Sequence, residues 1–101
     1  MMLLSRRAIE IVNLLGLHLR AAEKFVRQAK QFQAEIRVSH EGRVVNGKSI
    51  LDLTALAAGC GTWLELEASG PDAEAAVVAL SRLVEDRFHE TDWGEETVQI
   101  S

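Results

Sequence analysis

Apolar and polar residues alternate in several stretches of the chain, and each such stretch predicts a strand with one buried face. Residues 6–12 (RRAIEIV) put Ile9 and Ile11 on one side and Glu10 on the other. Residues 34–39 (AEIRVS) turn Ile36 and Val38 inward, Glu41-Gly42 supplies a tight turn, and residues 43–45 return as a short strand, making a hairpin. The cleanest alternation is residues 62–69 (TWLELEAS), with Leu64, Leu66 and Ala68 facing in and Glu65 and Glu67 facing out. Parity puts Trp63 on the outer face.

Between these stretches the period changes to that of a helix. Over residues 20–32, Ala22, Phe25, Val26, Ala29 and Phe32 form one stripe, and Glu23, Lys24, Arg27, Lys30 and Gln31 occupy the rest of the circumference. A short helix follows Ser49, its expected N-cap, and Asp52 completes the form of a capping box. Leu53, Leu56 and Ala57 are expected on its core face, with Gly59 at its end. Consecutive residues on a helix diverge by about 100°, so Ile50 and Leu51 cannot both join that face. Pro71 and Asp72 suit the first turn of a last helix, whose stripe is Ala73, Ala76, Val77, Leu80, Leu83, Val84 and Phe88. The order β-α-β-β-α-β-α predicts an α+β open-faced sandwich, in which three helices cover one face of a four-stranded antiparallel sheet.

Composition narrows the class. The 101 residues are 48% apolar and 26% charged, normal for one water-soluble domain with a modest core. A net charge of -4 and a pI near 5.3 argue against a nucleic-acid partner. The run MMLLSRR has the wrong order and length for a signal peptide, and no window approaches a membrane span. Cys60 is alone, so no internal disulfide forms, and a reducing, cytoplasmic setting is expected. His18, His40, His89 and Cys60 lack the spacing of a metal site, and neither a metal nor a cofactor is expected. The domain is read as residues 6–88, between an N-terminal extension, 1–5, and a C-terminal one, 89–101. The latter is mostly acidic but carries Trp93, Val98 and Ile100.

One stretch offers chemistry. In NLLGLHLRAA (residues 13–22), His18 falls on the turn between the first strand and the first helix. The unpaired N–H groups of a helix N-terminus hold anions and disfavour imidazolium, so an imidazole there tends to stay neutral and nucleophilic. A phosphoryl group on that ring would lie beside those N–H groups. Arg20 adds a guanidinium matched to phosphate oxygens, and the backbone N–H groups of Leu19 and Arg20 are the candidate phosphate ligands.

GLHLRAA, followed by VNGKSI at residues 45–50 and by GxDAxxA at residues 70–76, resembles the histidine-containing phosphocarrier family, HPr and its nitrogen-branch relative NPr. The resemblance runs from about residue 6 to residue 88, and Ala21 departs from it where many relatives have proline. It implies the same open-faced fold. It also implies a phosphoryl carrier rather than a free-standing enzyme: His18 takes the phosphate on Nδ1 from an enzyme I-type, phosphoenolpyruvate-dependent kinase and passes it to an EIIA-type acceptor of a sugar or nitrogen branch. The docking surface it favours is Leu17, Leu19, Ile50 and Leu51, rimmed by Arg20, Lys24, Arg27 and Lys48, on a monomer. Ser49 matches a serine that an HPr kinase/phosphorylase modifies in some relatives, against the plainer role of helix cap. Element order alone leaves open a regulatory ferredoxin-like binding module without phosphorelay activity.

Overall fold

The computed structural model describes residues 3–90. β1 (Leu4–Glu10) leads into α1 (Leu19–Ala29), β2 (Glu35–His40) and β3 (Arg43–Asn46) form the hairpin, and α2 (Ile50–Ala55) precedes β4 (Trp63–Ser69). α3 (Ala73–Glu85) then runs into a one-turn segment, Arg87–His89. Trp93, Val98 and Ile100 of the C-terminal extension lie outside the described residues.

The strands form one antiparallel sheet in the order β1-β4-β2-β3, and with the three helices it makes the expected α+β open-faced sandwich. Ile9 pairs with Leu64, Val38 with Leu66 and Ile36 with Ala68, so the inward rows of three strands merge into one apolar floor. Phe25 and Val26 of α1, Leu53 of α2 and Val77, Leu80 and Val84 of α3 complete the buried cluster above it. Phe88 closes the stripe and is fully buried. The opposite parity faces solvent, including Trp63. There Glu67 pairs in register with both Arg6 and Arg37, bonded to their Nε atoms at 2.6 and 2.9 Å. The hydrogen bond from Arg37, then that from Arg6, holds the Glu67 carboxyl below its ordinary range.

Helix ends depart from the sequence expectation. α1 stops at Ala29 instead of reaching Phe32, because the Gln31 and Phe32 N–H groups bond back only three residues and tighten the last turn. Phe32 is consequently half-buried. α2 stops at Ala55, well short of Gly59. Ala57 takes φ +53, a left-handed cap in a residue other than glycine, and this turns Ala57 to solvent and Ala58 into the core. Ser49 does cap α2, its Oγ accepting the Asp52 N–H at 3.2 Å, but the Asp52 carboxylate bonds the Asn46 N–H and not that of Ser49. Asp72 precedes α3 without capping it. Its carboxylate accepts the N–H groups of Gln33 and Ala34 at 2.9 and 2.8 Å, which ties the α1–β2 connection to the start of α3. Those bonds, Gln33 foremost, lower the Asp72 pKa.

Candidate functional site

The turn that carries His18 is closed by Asn13 and Gly16. Gly16 sits at φ +73, and a Cβ there would meet Ala58 O at 2.6 Å and Gly59 Cα at 2.8 Å. That close approach lets the next residue, Leu17, donate its N–H to Ala58 O at 2.8 Å. The Asn13 amide donates to Gly16 O at 2.6 Å, and Gly16 N–H returns a bond to Asn13 O at 3.1 Å. Clamped in this way, the chain delivers His18 in an extended conformation (φ -77, ψ 177) as the N-cap of α1. The first intrahelical bond is Ala22 N–H to His18 O. The N–H groups of Leu19, Arg20 and Ala21 are therefore left without an intrahelical acceptor, clustered beside the imidazole. A proline in place of Ala21 would forfeit no intrahelical hydrogen bond, though it would remove one of those three N–H groups.

The imidazole has a partner that sequence reasoning missed. His18 Nε2 lies 2.5 Å from Glu90 Oε2, and the other carboxylate oxygen, Oε1, accepts from Asn13 Nδ2 at 3.2 Å. The Glu90 side chain is 1% exposed and that of His18 27%. Asn13 is fully buried, and both of its partners are acceptors, so its NH₂ must face them; its Oδ1 has no partner among the described residues. A carboxylate only accepts, so the proton of the contact sits on Nε2 and the lone pair of the neutral ring is on Nδ1. No hydrogen bond engages Nδ1 among the described residues. An open groove of about 470 Å³ adjoins the ring, lined by Leu15, Leu19, Thr54 and the 57–59 backbone segment.

The other expected site residues divide. Arg20 is exposed in the first turn of α1, one residue beyond Leu19. Leu19 and Leu51 are exposed, Leu51 to 80%, and Ile50 is half-buried against the core. Leu17 belongs to the core, 5% exposed, so it is withdrawn from the docking patch; Leu14 and Leu15 are exposed in its stead. Lys48 is withdrawn from the rim, because its Nζ bonds Phe32 O at 2.7 Å, just past the far end of α1 from His18. Lys24 bonds Phe88 O at 2.7 Å, and with Arg27 it lines a second groove against Leu83 and His89. His40 closes β2, with Nδ1 facing Trp63 O at 3.2 Å, and His89 pairs with Asp86. Among the described residues no cluster could hold a metal ion.

Residues 5–86 match the family model described as the PTS HPr component phosphorylation site. The chain belongs to the HPr family. HPr is the phosphocarrier of the phosphotransferase system, and that is the function of this chain. The phosphocarrier protein HPr of Neisseria meningitidis is 47% identical over 84% of this chain and 96% of its own length. That of Cupriavidus necator is 42% identical over the same shares. Among solved structures, HPr-C-His from Thermoanaerobacter tengcongensis superposes with a TM-score of 0.83 at 39% identity, covering 86% of this chain and 98% of its own. An HPr from Bacillus anthracis gives 0.75 at 34% identity over 78% and 94%.

Proposed function

We propose that this HPr accepts its phosphoryl group on Nδ1 of His18 from an enzyme I-type donor and hands it to an EIIA-type acceptor protein. The observation that carries this reading is the placement of His18: an N-cap whose Nδ1 bears no hydrogen bond among the described residues, beside the N–H groups of Leu19, Arg20 and Ala21. The Nδ1 lone pair attacks phosphorus as the bond from phosphorus to the donor breaks, and that bond's electron pair stays with the donor. The three phosphoryl oxygens then meet backbone N–H groups and the Arg20 guanidinium, which neutralise their charge without rearrangement. Transfer onward from one nitrogen to another is close to thermoneutral, so positioning and charge stabilisation suffice. In this reading the chain is a carrier and not a catalyst.

Partners dock on the exposed apolar collar of Leu14, Leu15, Leu19 and Leu51, with Arg20 to steer acidic surfaces. No helix among the described residues is long and apolar enough to cross a membrane, and a cytoplasmic exchange between soluble partners fits that. Intact mass after incubation with enzyme I and phosphoenolpyruvate tests the assignment. Wild type and His40→Ala should each gain one phosphoryl group and His18→Ala none; a labelled His18→Ala protein would refute it.

A further inference from the structure

We propose that Glu90 is a positioning residue for phosphoryl transfer, its carboxylate holding the His18 ring by Nε2–H so that the Nδ1 lone pair faces the incoming phosphorus. The inference rests on His18 being the phosphoacceptor. Three features of the fold converge on that contact. Asn13 and Glu90 are both buried, and Asn13 Nδ2 braces the carboxylate oxygen that does not touch the ring. Arg87, Phe88 and His89 all take positive φ, 56, 54 and 63, a strained run for residues other than glycine. The burial of Phe88 and the bond from Lys24 to its carbonyl hold that turn, which redirects the chain from the end of α3 toward His18. A strained turn anchored at two points and ending in a buried carboxylate on the imidazole is costly to build for packing alone.

The chemistry explains what the contact does. As the N–P bond forms, Nδ1 gives up its lone pair and the ring becomes a cation with its proton still on Nε2. At a helix N-terminus that cation is disfavoured. The Glu90 carboxylate, 2.5 Å from Nε2, neutralises it, as the buried aspartate does for the histidine of a serine protease triad. On the return step, breaking N–P restores the lone pair to Nδ1, and the proton again stays on Nε2. The same carboxylate serves both directions, and no proton leaves the ring.

The test uses the full-length chain labelled with ¹⁵N at histidine. In wild type at a pH where the His18 ring is neutral, the ring should exist as the single Nε2–H tautomer, and in Glu90→Ala the two tautomers should mix. Single-turnover transfer from the phosphorylated donor should slow about 10- to 100-fold in Glu90→Ala, the range found where carboxylates orient histidines. Glu90→Gln keeps the shape and can accept Nε2–H without charge, so it should retain the tautomer yet transfer more slowly than wild type. A Glu90→Ala protein with the wild-type rate overturns the inference, as does one that still holds the single tautomer. The parent reading fails differently: there, wild type itself takes no phosphate on His18.

Discussion

Gly16 and Gly42 offer matched alanine substitutions that separate backbone strain from collision. Both have positive φ, +73 and +83, so each alanine incurs about 1–2 kcal/mol for entering the left-handed region. At Gly42, in the tight turn of the β2–β3 hairpin, a Cβ meets nothing within 4 Å, and that is the whole cost. At Gly16 the new Cβ would be 2.6 Å from Ala58 O and 2.8 Å from Gly59 Cα, both backbone atoms, so one strand of chain must move. Overpacking of this kind costs about 1–3 kcal/mol. Displacing Ala58 O also weakens its bond from Leu17 N–H, worth about 1 kcal/mol. Gly16→Ala should therefore lose about 3–6 kcal/mol and Gly42→Ala about 1–2 kcal/mol. For a domain of this size, each kcal/mol lowers Tm by about 4–8 °C, so thermal unfolding by circular dichroism resolves the two. Below its lowered Tm, Gly16→Ala should also transfer phosphate slowly, because the shifted turn carries His18. Equal Tm values for the two variants would refute the reasoning, since the collision would then be absorbed at no cost.

Burial separates the two leucines once grouped together beside His18. Leu51→Glu should change stability by no more than about 0.5 kcal/mol yet slow transfer several-fold, whereas Leu17→Ala should lose about 2–4 kcal/mol; a reversed order in urea titrations and transfer assays would contradict the docking surface. Acid should destabilise the fold through Glu67 and Asp72, whose carboxyls titrate lower in the folded chain than in the unfolded one. Their contribution is complete above the ordinary carboxylate range near pH 4 and is lost as pH falls through the lowered folded values, so Glu67→Gln should flatten stability against pH on the acid side of that range.

Parity made the sheet readable, because a strand with one buried face records its orientation at every second residue. Leu64, Leu66 and Ala68 need no other information to be placed inward, and Glu41-Gly42 marks its turn by composition. Helix ends were less legible. Phe32 continues the apolar stripe of α1 after the hydrogen bonds have tightened, and the stop of α2 before Gly59 depends on Ala57 taking a conformation that alanine does not advertise. The place of His18, on the turn before α1, was legible from the change of period around it, and Leu17 was misplaced because a turn has no period from which burial can be read. Asn13 did carry a signal: it extends the inward parity of Ile9 and Ile11, and a polar residue at such a position requires a buried partner. That partner, Glu90, lies 72 residues beyond His18 in the chain, and only the folded path of the Phe88 turn brings it to the ring.

The attachment point of the phosphate tests the role of His18 most directly. Full-length protein labelled with ¹⁵N at histidine is phosphorylated with phosphoenolpyruvate and enzyme I, and the coupling between phosphorus and the ring nitrogens is measured by NMR. A single phosphohistidine, at position 18, is expected, with the direct one-bond coupling to Nδ1. Coupling to Nε2 of His18, the atom held by Glu90, or to a nitrogen of His40 or His89, would contradict it.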